Sequence, residues 1–149
     1  MGGRMFRFLP VSVFVITLLC LNVALHAQMI SPQHVDGAET IDAAQAKTLY
    51  DKGAVFVDLR PRDDFVKGHI AGAINMNISG AFNRNMIEQK ISKDQTVIFY
   101  CYGVQCLRSY TACVRAVSWG YQQVKYFRDG LPAWVAADYP VESGNIIAQ

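Results

Sequence analysis

The sequence predicts an α/β fold with a central parallel sheet carrying helices on both faces. Short apolar runs rich in β-branched and aromatic residues, such as Val97-Ile98-Phe99-Tyr100, alternate with segments of helical spacing. No two-residue hairpin signal joins any pair of these runs. In addition, Cys101 stands where the Val97–Tyr100 strand ends, ahead of a tight loop and a helix start. Ligands of parallel sheets bind beyond the carboxyl ends of the strands.

Each element has a local reason. Gln28 to Ala38 reads as a polar lead-in. Asp42-Ala43-Ala44-Gln45 has the spacing of a capping box and opens a helix through Lys52, which Gly53 stops. Ala54 to Asp58 is a strand. Asp63 to Lys67 is one helical turn ended by Gly68, and Ile70 to Met76 turns into a short strand at Ala73-Ile74-Asn75. Phe82 to Ile91 has helical spacing weakened by Asn83 and Asn85. After the Val97–Tyr100 strand and the Cys101 loop, a long helix runs to Gly120. Val124 to Phe127 is the next strand, and Asp129-Gly130 is a turn. Pro132 suits the first turn of a last helix, which ends before Pro140.

The amino terminus reads as a secretory leader. Arg4 and Arg7 precede an apolar run from Val11 to Leu25, and His26-Ala27 follows. An uncleaved membrane anchor is the competing reading, since the run lies near the lower length limit for a span; Ser12, Thr17 and Asn22 dilute it. Thr17-Leu18-Leu19 before Cys20 does not suit lipoprotein processing. The expected organisation is therefore a signal peptide over 1–27, a lead-in over 28–40, one domain over 41–142 and a tail over 143–149. Export, most simply to the periplasm, is expected, with no membrane association after cleavage.

The whole chain has 149 residues, with 14 basic against 12 acidic. Arg4 and Arg7 leave with the leader, so 12 of each sign remain and the mature net charge is zero. With no Lys/Arg run left, nucleic acid is not expected as a partner. Cys101, Cys106 and Cys113 remain, an odd number that leaves at least one thiol unpaired in an oxidising compartment. A thiol at a strand end, beside loop N–H groups and a helix N-terminus, is in an environment that favours anions. Sulfur or oxyanion chemistry at a thiolate follows.

Three blocks resemble the rhodanese family. The first is Val57-Asp58-Leu59-Arg60 with Phe65 and Gly68-His69-Ile70-Ala71-Gly72-Ala73-Ile74-Asn75. The second is Tyr100-Cys101 through Arg108-Ser109. The third is Gly120-Tyr121 with Phe127-Arg128-Asp129-Gly130-Leu131-Pro132-Ala133-Trp134 and Tyr139-Pro140-Val141-Glu142. The resemblance implies a sulfurtransferase in which Cys101 takes a sulfur from a small anionic donor such as thiosulfate and passes it to a thiol acceptor. It implies donor binding by the loop Tyr102, Gly103, Val104, Gln105, Cys106, Leu107 and Arg108, and bracing by Asp58, Arg60 and Ser109. It calls for no metal and no organic cofactor.

The loop departs from the family pattern. Arg108 is the seventh residue after Cys101 where the family usually has its arginine fifth, and Gly103 is second where the glycine is usually third. The loop is thus two residues longer and carries Cys106. That leaves the donor open between sulfane sulfur and a larger oxyanion. A phosphatase loop has five residues between cysteine and arginine, and this one has six. Two further readings stand beside transfer: a redox protein with a reversible Cys101–Cys106 bridge, and a non-catalytic anion- or partner-binding module. Cys106 and Cys113 share a helical spacing with Tyr110 and Val117, so Cys113 is expected in the core. His69 is expected to be a turn residue satisfied by backbone, and the spacing of Cys101, Cys106 and His69 fits no common zinc site.

Overall fold

A computed structural model describes residues 30–144. The leader, the anchor alternative, Cys20 and the end of the tail lie outside the described residues. Five parallel strands form the main sheet in the order β1-β6-β5-β2-β4: β1 (Ala38–Thr40), β2 (Val55–Asp58), β4 (Ile74–Asn75), β5 (Thr96–Tyr100) and β6 (Gln123–Phe127). Five helices connect them: α1 (Ala43–Asp51), α2 (Arg62–Lys67), α3 (Arg84–Glu88), α4 (Arg108–Ser118) and α5 (Gly130–Ala136). β5 is the middle strand, flanked by β2 and β6, so its carboxyl end is the centre of the sheet's upper edge.

Alternation along the strands builds two cores. Val57, Val97, Phe99, Val124 and Tyr126 face Ile87 of α3 and Ala112, Cys113 and Ala116 of α4. Phe56, Ile98, Tyr100 and Phe127 face Ala46 of α1, Phe65 of α2 and Trp134 of α5. A strand buried on both faces has no polar side to show, which is why Val97–Tyr100 is continuously apolar, whereas β6 carries the half-buried Lys125, paired with Glu39. Trp134 anchors the second core with edge-on contacts to Tyr50, Phe56 and Tyr139 at centroid distances of 5.3, 5.4 and 5.0 Å. Its Nε1–H donates to the Pro140 carbonyl at 2.8 Å, so the buried indole is satisfied.

The capping box at α1 is present: Asp42 accepts from the Gln45 N–H at 2.8 Å, and Gln45 accepts from the Asp42 N–H at 2.9 Å. Elsewhere the structure corrects the sequence reading. The Phe82–Ile91 helix shrinks to the five residues of α3, because Asn83 takes the N-cap and accepts from the Met86 N–H at 3.0 Å. The lead-in is not merely polar chain. Its last residues join β1, held in the sheet by pairing with β6 and not by any apolar pattern of its own. The sheet system is also not wholly parallel: β3 (His69–Ile70) pairs antiparallel with β7 (Val141–Glu142) in a separate ribbon. This ribbon ties the chain end to the segment after α2.

Gly130 begins α5 where a turn was expected. Its φ is +61°, and a Cβ there would meet the Cys101 carbonyl oxygen at 2.3 Å and the Gly103 nitrogen at 2.9 Å. The next N–H, of Leu131, donates to that same Cys101 carbonyl at 3.0 Å. Replacing Gly130 with Ala combines left-handed strain with a backbone clash, so a loss of about 2–5 kcal/mol is expected. Urea unfolding measures it, and an unchanged midpoint would show that α5 does not have to approach the loop this closely.

Candidate active site

Cys101 is fully buried at the carboxyl end of β5. The chain then curls so that the Cys106 N–H donates to the Gly103 carbonyl at 2.9 Å. Gly103, at φ +119°, supplies a conformation that a side chain would resist, and a Cβ there would crowd the Asp129 carbonyl at 3.2 Å. Curling brings the Cα atoms of Cys101 and Cys106 to 6.5 Å, and their sulfurs are joined in a disulfide. Cys106 therefore lies in the loop, bridged to Cys101. Cys113 does lie in the core, as its helical spacing predicts; it is buried, and desolvation drives its thiol far above the ordinary cysteine range.

Above the disulfide opens a pocket of about 820 Å³. Tyr102, Gly103, Val104, Gln105, Cys106, Leu107 and Arg108 all line it, with Asp129, Pro132 and Ala133 opposite. Arg108, the first residue of α4, directs Nη1 to the Cys106 sulfur at 3.6 Å. Leu107 caps α4 without any side-chain hydrogen bond. The first-turn N–H groups of this eleven-residue helix thus carry no side-chain cap, and their partial positive charge faces the loop.

Tyr102 is the loop's exposed aromatic. The Arg60 and Arg108 guanidinium carbons lie 5.6 and 5.5 Å from its ring centroid, within cation–π range. Its hydroxyl donates to the Asp64 carboxylate. Partial desolvation, followed by that carboxylate, raises the phenol's pKa, so Tyr102 stays neutral. Asp64 is held below its usual range by Lys67, 2.9 Å away, and then by Tyr102.

Asp58 and Arg60 form a buried pair beneath this surface. Arg60 Nε lies 3.0 and 3.1 Å from the two Asp58 oxygens, and Nη2 donates to Oδ2 at 2.7 Å and to the Gly68 carbonyl at 2.7 Å. The Arg60 N–H donates to Asp58 Oδ1 at 2.9 Å. Burial opposes the Arg60 charge, and Asp58 more than offsets it, leaving the guanidinium's pKa above its ordinary value. Asn75 Nδ2 donates to the Asp58 and Arg60 carbonyls at 3.2 and 3.0 Å. Ser109 is buried in the first turn of α4, where its Oγ makes no hydrogen bond. His69 is buried against Phe65, with Nδ1 2.7 Å from the Phe65 carbonyl and Nε2 3.1 Å from Glu142. It lies in β3 and not in a turn, and it is engaged by the Glu142 side chain as well as by backbone. Among the described residues no cluster of three or more His, Cys, Asp or Glu side chains is placed to hold a metal ion.

Sequence reasoning missed a strap across the loop. Ser31 is buried, and both its N–H and its hydroxyl donate to the Val104 carbonyl, at 2.7 and 2.8 Å. Arg128 donates to the Ser31 carbonyl through Nε and Nη2 at 3.2 and 2.8 Å. Arg128 stands in the third signature block, but nothing in the polar lead-in points to its partner.

The fold is a doubly covered parallel sheet with a cysteine directly after its central strand and an arginine at the first position of the following helix. The chain belongs to the rhodanese-like domain family, whose profile matches residues 42–137. It is 38% identical over 109 residues to the uncharacterised protein YibN of Escherichia coli, covering 72% of this chain and 74% of that one. It is 32% identical over 109 residues to the thiosulfate sulfurtransferase GlpE of Pseudomonas fluorescens, covering 70% and 93%. The solution structure of the rhodanese-like domain of the Anabaena sp. Alr3790 protein superposes with a TM-score of 0.61 at 26% identity, covering 74% of this chain and 82% of that one.

The buried pair supplies a test of the support below the loop. Asp58→Asn leaves the Arg60 charge buried beside a neutral amide, and a stability loss of about 3–5 kcal/mol is expected. Denaturant unfolding reads it. A loss well under 1 kcal/mol would mean that water reaches Arg60.

Proposed function

We propose that this chain is a sulfurtransferase that carries sulfane sulfur on Cys101. The donor is thiosulfate or a persulfide, and the acceptor is a thiol or another nucleophile. The observation that carries the reading is the position of Cys101: it directly follows the central strand, and seven residues later Arg108 opens α4, whose N-terminus has no side-chain cap. Relatives named thiosulfate sulfurtransferases support it at the level of the family.

The chemistry follows from charge. Once the Cys101–Cys106 bridge is reduced, the Cys101 thiolate attacks the outer sulfur of thiosulfate. The sulfur–sulfur bond of the donor breaks and sulfite leaves with the electron pair, so one anionic sulfur nucleophile is exchanged for another. The resulting persulfide keeps the negative charge beside the helix N-terminus, where the dipole favours it. Arg108 offers a planar fork to the sulfonate oxygens, a geometry that a lysine ammonium lacks. Attack by an acceptor thiolate on the outer sulfur then frees Cys101. None of these steps calls for a metal or an organic cofactor. The compartment is part of the same proposal: the leader read over residues 1–27 sends the chain out of the cytoplasm, most simply to the periplasm.

The test is Cys101→Ser, assayed under reducing conditions for sulfur transfer from thiosulfate to cyanide. Serine keeps the size of the side chain but gives no nucleophilic anion near neutral pH. Transfer should vanish while the circular dichroism spectrum and unfolding midpoint of the reduced protein stay close to those of the reduced parent. A variant that keeps most of the parent rate would place the nucleophile elsewhere.

A further inference from the structure

Cys106 lies where it can act on whatever Cys101 carries. The two sulfurs are bonded, the curl from Gly103 to Cys106 holds them together, and the Arg108 guanidinium sits 3.6 Å from the Cys106 sulfur. The loop thus places two thiols and one permanent cation in contact, and a cation beside a thiol stabilises its thiolate.

We infer that Cys106 resolves the Cys101 persulfide, releasing hydrosulfide and closing the disulfide, so that the protein reduces sulfane sulfur at the expense of a dithiol. This rests on the persulfide reading of Cys101 given above. The Cys106 sulfur attacks the inner sulfur, Sγ of Cys101. A bond forms between the two Sγ atoms, and the bond between Cys101 Sγ and the outer sulfur breaks. The outer sulfur leaves with the electron pair, and with the proton from the Cys106 thiol it departs as hydrosulfide. The sulfane sulfur is reduced and the two cysteines are oxidised to the bridge. The product of that step is the bond the structure contains. Attack on the outer sulfur would instead move the persulfide onto Cys106 and form no bridge.

The bridged state also fixes how the cycle reopens. Cys101 is fully buried, whereas Cys106 keeps 8% exposure and lines the pocket. An external dithiol therefore reaches Cys106, attacking its sulfur and expelling Cys101 as the thiolate. Cys101 is the leaving group because only the Cys106 side of the bridge is open to attack. The second thiol of the dithiol then attacks its own mixed disulfide, freeing Cys106 and completing the oxidation of the dithiol. Until that happens the buried Cys101 cannot meet a new donor. The requirement for a dithiol reductant distinguishes this cycle from simple transfer to a single acceptor.

The experiment is one turnover. The full protein is reduced, freed of reductant and mixed with an equivalent of thiosulfate in the absence of other thiols. Sulfite, hydrosulfide and remaining alkylatable thiols are measured together for the parent and for Cys106→Ser. The parent should release sulfite and then hydrosulfide, and lose both loop thiols. For each sulfite it releases, Cys106→Ser should give no hydrosulfide, so the substitution is read in the ratio of the two products and not in the rate of donor attack. A parent that releases sulfite but keeps its sulfur and no hydrosulfide appears overturns the inference while leaving the Cys101 reading standing. Equal hydrosulfide from both proteins overturns it as well. No sulfite from either protein overturns the Cys101 reading first, and the inference with it.

Discussion

The contact between the start of α5 and the Cys101 carbonyl is the constraint on which the site depends. Gly130 comes so near that no side chain fits between it and the loop, and the Leu131 N–H closes the contact with a hydrogen bond. That carbonyl is the point where β5 stops pairing with β6 and the loop begins. Locking it fixes the direction in which the chain departs, and so where Gly103, Cys106 and Arg108 come to lie. Trp134, one turn further along α5, transmits the anchorage into the aromatic core under the sheet. Loop position and core packing are therefore one energetic unit.

Two further supports hold the loop from other sides. Ser31 grips the Val104 carbonyl from the amino-terminal strap, and Arg128 grips Ser31. Below, the Asp58–Arg60 pair presents a guanidinium to Tyr102, and Tyr102 reaches Asp64. Such pairs add little net stability as a rule, because desolvation consumes most of their attraction. Their use here is positional. Arg60 is tied to Asp58 and Gly68, so the charge next to Tyr102 does not wander. A loop of this length gains mobility unless it is tied down, and the strap and the bridge both shorten its free length.

Much of this was legible in the sequence for physical reasons. Val97–Tyr100 is buried on both faces and shows it in its composition, and Asp42 and Gln45 advertise the α1 cap. The strand end at Cys101 and the arginine at the helix start could be read from local pattern alone. What could not be read depends on distant partners. β1 is Ala-Glu-Thr, three residues with no strand pattern of their own, and only β6 makes them a strand. β3 and β7 are two residues each and meet from distant parts of the chain. Cys106 shares the helical spacing of Cys113 and Tyr110 while lying in the loop, and its approach to Cys101, one of the readings the sequence left open, is fixed by the curl from Gly103 to Cys106. Gly130 reads as a turn residue, since nothing local tells that a backbone carbonyl lies where its side chain would be.

The central claim is that the sulfur lands on Cys101 and nowhere else. Peptide mapping by mass is the most direct measurement, on reduced Cys106→Ser protein exposed to thiosulfate and then alkylated. The account predicts one added sulfur atom on the peptide bearing Cys101, with the buried Cys113 unmodified until the protein is unfolded. An added sulfur found on Cys113, or on no cysteine at all, would contradict it.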